Sequence, residues 1–134
     1  MSQPPEGASV LLEKARGDAY VVSKSVNDMG IADWIAGFHA QQAAEKALKA
    51  ILVYRGIDYP RTHNLRVLSR LLQGGGFEVP PGVDDLNALS PYGTAARYGD
   101  FPAFGPDTSL DRRWALACVE RTLEWAARLL ESKP

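Results

Sequence analysis

Apolar residues recur at three- and four-residue steps over most of the chain, the spacing of helices that bury one face. From about Ala8 to Met29, the residues Leu11, Leu12, Ala15, Ala19, Val22 and Val26 share a face, and Gly30 is placed to end the helix. Asp33 can cap a second helix that runs to Tyr54 or Arg55, with Gly56 after it. A third, shorter helix is expected over Asn64 to Gln73. Its stripe is Leu65, Leu68, Leu71 and Leu72, and Gly74-Gly75-Gly76 stops it. After the Pro80-Pro81-Gly82 turn, Asp84 or Asp85 opens a helix around Leu86, Leu89, Tyr92 and Ala96, which Pro91 and Gly93 should kink or split. Residues 98–107 read as a loop anchored by Phe101 and Phe104. Thr108 with Asp111 resembles a capping box for a last helix that ends near Glu131. No segment alternates with a period of two. The pattern predicts an all-α protein, an up-and-down bundle of about five helices. Residues 1–7, with Pro4, Pro5 and Gly7, are expected to be a flexible N-terminal arm, and residues 8–134 a single helical domain.

Two of these helices break their own pattern. On the second, Trp34, Phe38, Leu48 and Leu52 form a core stripe, yet Gln41, Gln42, Glu45 and Lys49 fall on the same face. An ionised carboxylate buried without partners is prohibitive, so Glu45 must be paired or must line a wet cavity. Two readings stay open: a structural network, with Glu45 and Lys49 pairing at i,i+4, or a polar pocket or interface. The last helix carries one apolar stripe of Leu110, Trp114, Cys118, Trp125 and Leu129, and a second of Leu116, Val119, Leu123 and Leu130. Such a helix is central in its bundle or lies against another subunit, so a homodimer is expected on the second alternative.

Composition narrows the chemistry. The chain has 134 residues, 46% hydrophobic and 23% charged, which is room for one core. A net charge of −1 argues against a strongly basic nucleic-acid binder. The balance is uneven, however. Residues 45–70 hold Lys46, Lys49, Arg55, Arg61, Arg66 and Arg70 against Glu45 and Asp58, a net of +4 that leaves −5 elsewhere. That segment is a candidate anion, nucleotide or RNA surface, the alternative being a solvated face with acidic neighbours. One cysteine, Cys118, and two histidines, His39 and His63, exclude an internal disulfide and a Cys/His zinc cage. No metal site and no cofactor is implied. The free cysteine, the lack of a signal-peptide pattern and the short apolar runs lead to the expectation of a cytoplasmic protein with no membrane contact.

The stretch FHAQQAAEKALKAILVYRGIDYPRTHNLRVLSRLL, Phe38 to Leu72, resembles the HEPN domain family, and ARYGDFP, Ala96 to Pro102, resembles a segment that follows in that family. The resemblance implies an all-α bundle, often dimeric, similar to the substrate-binding domains of small nucleotidyltransferases. Such domains are frequently encoded beside a minimal nucleotidyltransferase, in pairs of toxin–antitoxin type. Its pattern marks Gln42, Glu45, Lys46 and Lys49 on the second helix, Thr62, His63 and Leu65 at the third, and Arg97 and Tyr98 later. The implied binding set is Gln42, Glu45, Lys49, Thr62, His63, Arg97 and Tyr98, for a nucleotide, an RNA or a partner segment.

One branch of the family comprises metal-independent endoribonucleases, whose signature places four to six residues between an Arg and a His. Here the nearest Arg upstream of His39 is Arg16. For His63, Arg61 is too close and Arg55 lies eight positions back. No histidine follows Arg97. The signature is absent, which leans the reading away from an enzyme. A diverged site would have His63 as acid/base, with Arg97 or Arg61 stabilising phosphorane charge. Three functions remain: a nucleotide- or partner-binding module beside a nucleotidyltransferase, a diverged endoribonuclease, and a structural dimerisation partner.

Overall fold

Two long helices, α1 (Glu6–Ser25) and α2 (Asp33–Arg55), lie along each other, and α5 (Arg112–Glu131) packs on both. Between them in sequence come α3 (Leu65–Gly74), set against α2, and the short α4 (Val83–Asn87), which touches α3 and α5. The computed structural model describes residues 6–93 and 109–131, and among these no strand forms. The expected all-α bundle is what the chain builds. The N-terminal helix starts at Glu6, two residues before the expected Ala8, and ends at Ser25 rather than Met29.

α2 is the centre of the bundle. Ala36, Ala40, Ala43, Ala44, Ala47, Leu48, Ala50, Ile51 and Leu52 are all fully buried on it. So many alanines spread around one helix let neighbours approach from several sides, which an amphipathic stripe does not require. The end of α2 is set by Gly56, whose positive φ of 72° only glycine adopts cheaply. The Ile57 N–H then donates to the Leu52 carbonyl at 2.9 Å, a Schellman closure.

Four local expectations change. Trp34, placed in the core stripe, is 43% exposed, because α2 enters the bundle only after its first turn. Asp33 does not cap α2. It is the first helical residue, Ala32 is the cap position, and no side chain caps there. Its carboxylate is taken by Arg112, whose Nε and Nη2 approach Oδ1 at 3.0 and 2.9 Å. Arg112 is 8% exposed and also donates to the carbonyls of Ser25, Asp28 and Ile31, so one guanidinium clasps the end of α1, the α1–α2 turn and the start of α2. Likewise neither Asp84 nor Asp85 caps α4; Gly82 holds that position with no side-chain bond. At α5, Asp111 is the cap itself, accepting from the Trp114 N–H at 3.0 Å. Thr108, Ala96 and the 98–107 loop lie outside the described residues.

The expected break at Pro91 takes a specific form. α4 stops at Asn87, and residues 90–93 are helical again. On α5 the two apolar stripes are largely covered by this one chain: Val119 and Leu130 are buried, and Leu116 and Leu123 half-buried. The second stripe therefore does not need a partner to cover it.

Candidate functional site

The misplaced polar residues of α2 form one network. Glu45 is 4% exposed, and both its oxygens are engaged. Oε2 accepts from Lys49 Nζ at 2.8 Å. Oε1 accepts from Gln41 Nε2 and lies against His63 Nδ1, both at 2.9 Å. Gln41 Nε2 also donates to the His63 carbonyl at 2.7 Å, and Gln41 Oε1 accepts from Gln42 Nε2 at 2.8 Å. The i,i+4 and i,i+8 spacings stack Gln41, Glu45 and Lys49 along α2, so the helix itself sets their geometry. The Lys49 ammonium also sits 5.3 Å from the centre of the Tyr59 ring.

Burial pushes the Glu45 carboxyl upward. Hydrogen bonds from Lys49, Gln41 and His63, with the Lys49 charge, outweigh it, so the pKa lies below the ordinary 4.5. Glu45 is therefore a carboxylate, which only accepts, and the proton between it and His63 belongs to Nδ1. That leaves the other ring nitrogen, Nε2, and among the described residues nothing bonds it. A carboxylate that fixes tautomer and ring orientation prepares an imidazole for ligand binding or proton transfer.

His63 lines a cavity of about 400 Å³ with Thr62, Asn64, Ser90 and Pro91. The start of α3 builds one wall. Thr62 Oγ1 accepts from the Asn64 N–H, Asn64 Oδ1 from the Arg66 N–H, and Ser90 Oγ from the Leu65 N–H. These backbone donors are used up, so recognition in the cavity falls to side chains. The opposite wall depends on two glycines. A Cβ at Gly37 would come within 2.2 Å of the Tyr92 ring, and one at Gly93 within 2.5 Å of the Gln41 amide. Only glycines let the 90–93 turn press onto α2 and bring Ser90 and Pro91 to His63.

Of the sequence-derived binding set, the fold brings Gln42, Glu45, Lys49 and His63 into one network and puts Thr62 on the cavity beside them. Arg97 and Tyr98 lie outside the described residues. Lys46, which the family pattern also marks, points elsewhere: its Nζ pairs with Asp18 Oδ2 at 2.6 Å, and His39 Nδ1 lies 2.8 Å from Asp18 Oδ1. The basic segment also changes character. Lys46 and Lys49 are in ion pairs, and Arg55 lies 5.1 Å from the Tyr54 ring centre and 4.9 Å from that of Phe77. Arg61, Arg66 and Arg70 are left on the surface.

Sequence reasoning left two groups out of the site and did not see a third cluster elsewhere on α2. Gln41 stood in the polar line but outside the binding set, although it holds both Glu45 and the His63 backbone. Ser90 carried no signal, since its role depends on the turn after α4. The Asp18–His39–Lys46 cluster joins α1 to α2, and no spacing within either helix announces it. Among the described residues no group of three or more His, Cys, Asp or Glu side chains could hold a metal ion. No described helix is long and apolar enough to cross a membrane.

The family model for the HEPN domain matches residues 8–130. Among solved structures, the crystal structure of an archaeal HEPN homologue matches with a TM-score of 0.67 at 24% identity, covering 98% of this chain and all of that one. At that identity the likeness carries the fold alone. No curated protein matches.

Proposed function

The chain belongs to the HEPN domain family, and from that premise we propose that it is a nucleotide-binding and partner-binding module that works beside a minimal nucleotidyltransferase, in a pair of toxin–antitoxin type. The observation that carries the binding part is the Glu45-held imidazole of His63 on the wall of a cavity of about 400 Å³. A cavity of that size suits a nucleoside phosphate. Exposed Arg61 adjoins Thr62 in the chain, and exposed Arg66 lies in the first turn of α3, so both supply positive charge near its mouth. Arg97 is the further candidate for a phosphate contact. A reducing, cytoplasmic setting suits the single buried thiol of Cys118.

The partner part is tested by coexpressing the chain with the product of the neighbouring reading frame and resolving the mixture by size-exclusion chromatography. Co-elution with a nucleotidyltransferase supports the reading. A neighbour of another kind, or separate elution, removes this part.

One observation favours a second reading, a metal-independent endoribonuclease. The carboxylate–imidazole pairing of Glu45 and His63 is the arrangement of a general base. RNA cleavage in the presence of chelator, lost in His63→Ala, would establish it. Intact RNA across varied sequences leaves the binding module. The homodimer rests on the family resemblance, since α5 is largely covered within one chain. Light scattering at micromolar concentration decides it: twice the chain mass supports it, and the 14.6 kDa of the monomer removes it, along with the purely structural dimerisation role.

A further inference from the structure

The outer face of α1 carries an unbroken line of exposed residues. Glu6, Val10, Glu13, Gly17, Tyr20 and Lys24 follow one another at alternating steps of four and three, and all six face solvent. That is the spacing of a seam along which one helix lies on another. Val10 is 45% and Tyr20 62% exposed, two of the five large apolar side chains that stand out on the described surface. Gly17 is the odd choice between them. Glycine is the poorest helix former after proline, and a Cβ at Gly17 would meet nothing within 4 Å. The buried Gly37 of α2 is explained by the Tyr92 ring against it. Gly17 has no such reason inside the chain, and a bare backbone in mid-helix is what lets a second helix come close.

Given the homodimer reading, on which this rests, we propose that the contact between the two copies is α1, the two helices lying antiparallel about a two-fold axis. The order of charges along the line chooses a second copy as the occupant. Its acidic groups, Glu6 and Glu13, stand in the first half of α1, and its one base, Lys24, in the last turn. Turned end for end, the line matches itself. Glu6 of each copy comes opposite Lys24 of the other, Val10 opposite Tyr20, and Glu13 opposite Gly17, whose missing side chain leaves it room. Each pairing occurs twice by symmetry. A parallel arrangement would instead set like charges side by side. The Val10–Tyr20 contacts supply the apolar burial that drives association, and the exposed ion pairs, weak singly, fix its direction. Lys24 Nζ already lies 5.2 Å from the Tyr20 ring centre, so ring and charge are presented together.

The test is sedimentation velocity of the full chain over a micromolar dilution series, on wild type, Tyr20→Asp, Lys24→Glu and the exchanged pair Glu6→Lys with Lys24→Glu. All of these replace exposed residues, and circular dichroism reports whether each variant stays helical. Wild type should dimerise. The dissociation constant should rise at least tenfold in Tyr20→Asp and in Lys24→Glu, and return toward the wild-type value in the exchanged pair. A wild type that stays at the 14.6 kDa of the monomer removes the homodimer and this surface with it. A dimer that Tyr20→Asp and Lys24→Glu leave intact, or that the exchanged pair fails to restore, overturns the α1 contact alone and leaves the homodimer to another surface.

Discussion

Glu45 holds the ends of three side chains, Lys49, Gln41 and His63, and has almost no contact with water. Replacing it by alanine removes the charge that Lys49 and His63 face. Glu45→Ala should lower stability by about 2–4 kcal/mol in chemical denaturation, between an unmade buried hydrogen bond and a broken buried ion pair. Its pH dependence has a definite sign. A carboxyl whose folded pKa is depressed contributes stability that is present above the unfolded value of 4.5 and is lost as pH falls through the folded one. The stability difference between wild type and Glu45→Gln should therefore be full at neutral pH and shrink only below about pH 4.5. A difference that fades already between pH 7 and 6 would contradict its assignment to the Glu45 carboxyl. Cys118 gives a separate check. Burial raises its thiol pKa, the Arg121 charge and hydrogen bond offset part of that, and Asp85 adds to the rise. Its reaction with a thiol reagent should wait for unfolding, and rapid labelling of the native protein would contradict its burial.

At the scale of elements, the site is made by pressing the 90–93 turn onto α2. Gly37→Ala tests this, because two effects of opposite sign compete. Alanine in a helix interior gains up to about 1 kcal/mol over glycine. Against that, its Cβ would meet the Tyr92 ring at 2.2 Å, and overpacking of this kind costs about 1–3 kcal/mol. The clash should win, so Gly37→Ala lowers the melting temperature and displaces Ser90 and Pro91 from the cavity wall. A variant as stable as wild type would show that Tyr92 yields freely. Arg112→Met tests the clasp on the α1–α2 turn. It leaves the carbonyls of Ser25, Asp28 and Ile31 without their donor and should cost about 3 kcal/mol. Helix number and order were legible in the sequence because apolar spacing and glycine stops act locally. The caps were less so. An aspartate before a helix reads as a cap, but Asp33 is claimed by Arg112 from a helix far along the chain, and local pattern cannot see that competition.

At the scale of the whole molecule, the hidden quantity was which helix lies at the centre. A doubly apolar α5 suggested either a central helix or a dimer face, while α2 looked merely interrupted by polar residues. The packing makes α2 central, ringed by α1, α3 and α5, and this is why its polar line had to be fully satisfied. The line itself was legible, since four polar side chains on a buried face violate the helical pattern. Its partner His63 was reachable only through the family resemblance, and the Ser90 and Pro91 wall of the cavity not at all, because these residues arrive by tertiary packing. The proposal that this cavity, with His63 held by Glu45, receives a nucleotide is open to measurement. Isothermal calorimetry with adenosine and guanosine phosphates tests it most directly, on wild type and on His63→Ala with its fold checked by circular dichroism. Saturable binding to wild type that weakens at least tenfold, about 1.4 kcal/mol, in His63→Ala is expected. Absence of binding to wild type, or equal affinity for both proteins, would contradict it.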